Sequence, residues 1–291
     1  HCHGARANFI AMFLKNKIDK PIITTIHSDY KLDFKDNFYK RIVYTGINSI
    51  ALKRFDYYIA ISNTFKCMLM ERGFKEDRIF TVYNGIDMDD EIDYVSKEDF
   101  LNRYGINGEG KILIGIIARL DLVKDHRTFI KAAYKVLQRK QDVEFLIAGT
   151  GNHETNLRTL VEDMGVENHI HFLGFVKDQY SFFNAIDINT LTSISESFPY
   201  VILEGARLKK TIISTEVGGL DKLIEDGYNG WLIPVGDSEA LAEKMIFFIE
   251  NQDRIKIMGE NLFHKVKNEF SSTRMAEEHN KIYEQILEYR G

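Results

Sequence analysis

The sequence predicts an α/β protein built on parallel sheets. Two observations carry that reading: short β-branched runs alternate with helical stretches from end to end, and the helical stretches show apolar stripes at helical spacing. At 291 residues and 44% hydrophobic, the chain can bury one large core or two ordinary ones. In order, a helix-like segment from Ala5 to Leu14 leads into strands Ile22–Ile26, Tyr57–Ile61 and Ile79–Val82. The run Asn84-Gly85-Ile86-Asp87 closes this group, and an acidic, non-periodic stretch follows to about Ser96. Turn chemistry and a composition shift coincide there, so a domain boundary is expected.

Beyond it come strands Ile112–Ile117, Val143–Ala148, Ile170–Leu173, Ile188–Thr192, Thr211–Thr215 and Trp231–Ile233. Phe129, Ala132, Ala133, Val136 and Leu137 form one apolar helical stripe, and Leu241, Met245, Phe248 and Ile249 another. Both are expected to be core. With three prolines in the chain, helix ends depend on Gly, Asn and Asp. Residues 97–268 hold enough βα units for a complete doubly wound domain, whereas residues 1–85 hold about three strands, roughly half of a Rossmann-type sheet. The expected division is 1–86, 87–270, and a last helix over Ser271–Tyr289 within residues 271–291 that could pack back on the first part.

The net charge is −5 but uneven: residues 1–85 carry 14 Lys/Arg against 8 Asp/Glu, and the remainder 24 against 35. The first part could therefore face something anionic, such as a membrane surface or a phosphorylated acceptor. Nucleic acid is disfavoured, since there is no tight basic cluster or basic–aromatic stripe. Cys2 and Cys67 lack metal-ligand spacing, which reads as a reduced, cytoplasmic protein without disulfides or a bound metal. No apolar stretch approaches a membrane span and no signal peptide is visible. The chain starts at His1 without Met and runs almost directly into a helix, so it reads as a piece of something longer.

The most informative run is Ser195-Glu196-Ser197-Phe198-Pro199-Tyr200-Val201-Ile202-Leu203-Glu204. Its proline suits the first position of a helix, because its missing N–H would have been unpaired anyway. The first turn offers free N–H groups and the positive end of the dipole, which suit a phosphate. Glu196 before it and Glu204 about a turn and a half inside cannot bind phosphate; their natural partners are hydroxyls of a sugar and a ribose. At other strand ends stand Arg119 with Lys124, able to grip a diphosphate, the Ala148-Gly149-Thr150-Gly151 turn, the run His171-Phe172-Leu173-Gly174-Phe175, and the amide-rich Val217-Gly218-Gly219 turn.

Together these elements resemble the retaining glycosyltransferases of family 4. They are Gly115 with Ala118-Arg119-Leu120 and Lys124, Ala148-Gly149-Thr150-Gly151, Phe172-Leu173-Gly174, the Glu196-to-Glu204 run, Val217-Gly218-Gly219 and Asp226-Gly227-Tyr228-Asn229-Gly230. The order holds from about Tyr83 to the C-terminus. Thr25-Ile26-His27-Ser28 is similar to the family's strand-end histidine, and Ala60-Ile61-Ser62 to a later strand end. The resemblance implies the GT-B fold, here a complete C-terminal Rossmann-like domain and a partial N-terminal one lacking its first strands and glycine-rich loop. It implies that Arg119 and Lys124 hold the donor diphosphate without a metal, that Glu204 binds the ribose, and that Glu196 holds the transferred sugar and diphosphate with amides of Phe198, Tyr200 and Val201. Gly149, Gly151, Phe172, Leu173, Gly218 and Gly219 would line the donor site, and His27 would sit near the sugar.

The implied reaction moves a sugar from a nucleotide-diphosphate donor to an acceptor hydroxyl with retention, by a front-face route. A uridine diphosphate sugar is the commonest family donor, with guanosine and adenosine open; the acceptor would be a glycan or lipid-linked, and the location cytoplasmic, at the membrane periphery. Two other readings stand: a nucleotide-sugar epimerase of similar architecture, and a non-catalytic sugar-nucleotide-binding fragment. Residues 97–268 are expected to bind sugar nucleotide unaided, with turnover needing the absent strands.

Overall fold

The computed structural model describes residues 1–29 and 49–288. By its internal contacts the chain divides into two units: His1–Gly85 with Glu196–Phe198 and Ser272–Gly291, and Ile86–Ser195 with Pro199–Ser271.

Among the described residues, the first unit holds a parallel sheet in the order β1 (Cys2–His3), β2 (Ile23–Ile26), β3 (Tyr57–Ala60) and β4 (Ile79–Thr81). Strand β1 escapes sequence reading because two residues show no periodicity. Helices α1 (Gly4–Leu14) and α2 (Asn63–Glu71) contribute Ala11, Phe65 and Leu69 to one cluster with Ile22, Ile26, Tyr58, Ala60 and Ile79. Ile23, Ile59 and Val82 pack instead against Ile282 and Ile286. These belong to the last helix, Ser272–Glu288, whose expected final residue Tyr289 lies outside the described residues. Alternation along β2 and β3 thus sends successive side chains to two covered faces.

In the second unit the strands are β5 (Ile112–Ile117), β6 (Val143–Ala148), β7 (Ile170–Gly174), β8 (Ile188–Leu191), β9 (Thr211–Thr215) and β10 (Trp231–Ile233). All pair in parallel, in the order β10-β9-β8-β5-β6-β7. Counted within the unit this is 6-5-4-1-2-3, the doubly wound order of a Rossmann sheet, whose switch point falls between β5 and β8.

Both faces are covered. Phe145 and Ile147 of β6 join Phe129, Ala132, Ala133 and Val136 of α4 and Leu241, Met245 and Phe248 of a later helix; both expected stripes are core. Here α4 spans His126–Leu137, after α3 (Lys97–Arg103). Leu146 and Ala148 face Phe182 and Phe183 of α6 (Gln179–Ala185), which follows α5 (Glu154–Asp163). Further helices are α7 (Tyr200–Arg207), α8 (Ser238–Glu250), α9 (Gln252–Glu269) and, as α10, the Ser272–Glu288 helix. Gly115 belongs to this packing: a Cβ there would lie 2.7 Å from Phe182 and from Ile186.

Candidate functional site

In an open parallel sheet, ligands bind outside the carboxyl ends of the strands, at the switch point. Here that place is bounded by the loops leaving β5 and β8. They are stitched together: the Ile194 amide donates to the Val123 carbonyl at 2.7 Å and the Thr192 hydroxyl to that of Lys124 at 2.9 Å. The β5 loop brings Arg119 and Lys124. Arg119 is 82% exposed with a guanidinium nitrogen 3.1 Å from an Asp121 oxygen, which is weak tethering for a solvated pair. Lys124 ends a 3-10 turn, Leu122–Lys124, that Asp121 caps through the Lys124 amide at 3.2 Å.

From β8 the chain passes through 192–199 into α7. Pro199 stands at the N-cap with extended backbone (φ −76, ψ 127), one position earlier than expected, and gives no side-chain cap. The first-turn amides of Tyr200 and Val201 accordingly have no hydrogen-bond partner among the described residues. Open amides at a helix start are an anion site. Glu204 is the fifth residue of this helix. Burial raises its carboxyl above the ordinary value, against a hydrogen bond from Gln179 and the attraction of Arg207. Tyr200 is raised as well, by burial and then by Glu204.

Glu196 and Phe198 group with the first unit. Phe198 is buried; its carbonyl accepts from the Asn84 side-chain amide at 2.9 Å and its ring packs edge-on to Tyr83 at 5.1 Å. His27 directly follows β2 in that unit, its Nε2 2.9 Å from Nδ1 of His3. Burial, then His3 and His279, hold its imidazole below the ordinary range.

The glycines at the β6 end have a use that the sequence did not show. Gly149 has φ 138, and a Cβ there would lie 1.9 Å from the Ala118 carbonyl oxygen; at Gly151 it would lie 2.3 Å from that of Leu120. The close approach is made by the β5 loop itself, whose Leu120 amide donates to the Thr150 carbonyl at 3.0 Å. These glycines therefore set the course of the loop that carries Arg119. Phe172 packs beneath the Arg158 guanidinium, 4.4 Å from its ring centre, and Leu173 is buried in the core. A ligand at β7 would thus meet backbone, and the exposed Phe175, before either side chain. Gly218 and Gly219 have φ 62 and 80, two consecutive left-handed residues that turn the chain after β9. The Asp226–Gly230 run is structural: Asn229 is fully buried, accepting from the Glu225 amide and donating to the Leu223 carbonyl.

Gln179 and His126 were not singled out from sequence. His126, the first residue of α4, is 1% exposed, and neither ring nitrogen has a hydrogen-bond partner among the described residues. A glutamine opening a helix and a histidine between an aspartate and an arginine carry no signal until their neighbours are known.

The architecture is that of a GT-B glycosyltransferase. Residues 96–265 match the family model described as glycosyl transferases group 1, and residues 1–90 that described as glycosyltransferase family 4. The chain belongs to the group 1 glycosyltransferases and is a transferase. It is 28% identical to N-acetyl-alpha-D-glucosaminyl L-malate synthase of Bacillus anthracis, over 99% of this chain and 74% of that protein. Among solved structures, a glycosyltransferase from Rickettsia africae aligns at 26% identity with a TM-score of 0.80, covering 95% of this chain and 73% of that one. Anabaena Alr3699/HepE in complex with UDP shares the fold at 21% identity and a TM-score of 0.82, covering 98% and 77%.

Proposed function

We propose that the chain transfers a sugar from a nucleotide diphosphate, a uridine diphosphate sugar first, to a glycan or lipid-linked hydroxyl, with retention of anomeric configuration. The observation that carries this is the switch point of the second unit. Two cations on the β5 loop stand beside a β8 loop that leads into open helix amides, with a half-buried carboxylate one turn further on. Cations and amides suit a diphosphate, and the carboxylate suits a vicinal diol. The relatives agree in kind: HepE was crystallised with UDP, and a relative from Escherichia coli is named for transfer of galactose from UDP-Gal to a diphosphoundecaprenol-linked sugar.

In this reading Arg119 and Lys124 stabilise the charge growing on the leaving diphosphate, so no metal ion is required of the step. The amides of Tyr200 and Val201 hold the phosphates. Glu204 takes the ribose hydroxyls, and Glu196 and His27 are the residues assigned to the transferred sugar. In a front-face route the leaving phosphate accepts the acceptor proton, and the protein positions both partners. The site acts in the cytoplasm, where free Cys2 and Cys67 stay reduced. No helix among the described residues is long and apolar enough to cross a membrane; contact with one is peripheral, through the basic first part.

The test is turnover of UDP-glucose, UDP-galactose and UDP-N-acetylglucosamine against lipid-linked sugar acceptors, with the product's anomeric configuration read by NMR. Arg119→Ala and Lys124→Ala should each lower kcat by about 10²-fold or more, as loss of a charge-stabilising group does, and a chelator should leave the rate unchanged. An inverted product, or activity restored only by a divalent metal, would overturn the corresponding part.

A further inference from the structure

Glu204 is held by one neighbour of unusual choice. Its Oε1 accepts a hydrogen bond from Nε2 of Gln179 at 2.9 Å, and Oε2 has no hydrogen-bond partner among the described residues. The nearest cation in sequence, Arg207, is engaged elsewhere. Its guanidinium donates to the Tyr180 hydroxyl at 2.9 Å and to the Asp90 carbonyl at 2.8 Å, and lies over the Tyr180 ring. A bidentate arginine would have saturated both oxygens of the carboxylate and neutralised it. A side-chain amide fixes one oxygen and leaves the charge and the second oxygen in place.

Gln179 is itself well anchored. It is the first residue of α6, and Asp178 caps that helix through the Ser181 amide at 3.1 Å. It follows the carboxyl end of β7, so it comes from the ligand side of the sheet, as Glu204 does. We propose that Gln179 is the positioning residue of the donor site: it holds one oxygen of Glu204 so that the other accepts from the two adjacent hydroxyls of the donor ribose. This rests on the reading of Glu204 as the ribose carboxylate. The Gln179 bond also favours the ionised form that burial disfavours, and only that form accepts from both hydroxyls.

The experiment compares the wild-type chain with Gln179→Met, which keeps the side chain's length and removes its donor. UDP and 2′,3′-dideoxyuridine diphosphate are titrated calorimetrically into each, with GDP and ADP and their dideoxy forms run alongside. Titration of the Glu204 carboxyl, ¹³C-labelled and followed by NMR without ligand, is the second readout. Expected are about tenfold weaker binding of the preferred nucleotide in the variant, equal binding of its dideoxy form by both proteins, and a Glu204 midpoint moved upward. Equal weakening of both nucleotides in the variant would make Gln179 merely structural and overturn the proposal. So would an unmoved Glu204 midpoint. A wild-type chain that binds no nucleotide, or does not distinguish the dideoxy form, would overturn the ribose reading while the midpoint still decides whether Gln179 controls Glu204.

Discussion

At the scale of single residues, the loop that carries Lys124 is held by a residue in an unfavourable conformation. Asp125 has φ 44 and ψ 51, left-handed for a side chain with a Cβ, and it caps α4 by accepting from the Thr128 amide and hydroxyl. Asn tolerates that backbone and caps comparably, whereas Ala does neither. Asp125→Asn should therefore stay within about 0.5 kcal/mol of wild type, and Asp125→Ala should lose about 1–2 kcal/mol in chemical denaturation. The next residue, His126, makes a pH prediction. Burial lowers its imidazole from 6.5 to about 4, Asp121 opposing and Lys124 assisting. A histidine depressed in the folded state stabilises fully above its unfolded value and loses that contribution as pH falls from 6.5 toward 4. A tenfold difference in proton affinity between the folded and unfolded chain is worth about 1.4 kcal/mol, so roughly 2 kcal/mol should be gone by pH 5 relative to pH 8. His126→Met should abolish that portion of the acid limb in stability-against-pH measurements. An unchanged limb between pH 8 and 5 would show that the ring is solvated in the folded protein.

At the scale of elements, the six strands of the second unit were legible because a parallel sheet covered on both faces leaves near-continuous β-branched runs such as Ile112–Ile117. The helix after Pro199 was legible for a related reason: a proline beside an apolar stretch, flanked by carboxylates, has few structural uses. What stayed hidden was chemistry between elements. Nothing in Gly-Thr-Gly announces that its neighbour is the Ala118–Leu120 backbone, since about 30 residues of sequence separate them while paired strands bring their ends together. Likewise the Gln179–Glu204 bond joins the first residue of one helix to the middle of another, 25 positions apart. The loop contact gives a prediction that separates packing from binding. Gly149→Ala must push back the Ala118 carbonyl and adopt φ 138, so it should cost about 3 kcal/mol or more in denaturant unfolding. Because the displaced backbone leads directly to Arg119, nucleotide affinity should fall with stability, even at temperatures where the variant remains folded. A variant that is destabilised yet binds as wild type would detach the glycines from the donor site.

At the scale of the whole molecule, the distribution of charge and apolar surface in the first unit makes the last prediction. On α1, Phe9, Ile10, Phe13 and Leu14 are exposed, as is Ile18 just beyond, with Phe13 at 62% and Ile10 at 60%. Exposed Arg6, Lys17 and Lys20 flank them, within a first 85 residues that carry a net +6. An apolar helical face bordered by cations suits the headgroup region of an anionic membrane, where each basic residue near the surface contributes about 1 kcal/mol and the apolar side chains add buried area. The chain should therefore co-sediment with vesicles containing phosphatidylserine or phosphatidylglycerol, and much less with vesicles of phosphatidylcholine alone. The two contributions separate by salt. Raising ionic strength shortens the screening length from about 10 Å at 0.1 M to 3 Å at 1 M, so it should release a Phe9→Ser, Phe13→Ser variant completely and the wild-type chain only in part. If both release alike, the apolar face takes no part in the contact. If neither binds anionic vesicles at low salt, that face serves another surface, and the acceptor reaches the enzyme without help from α1.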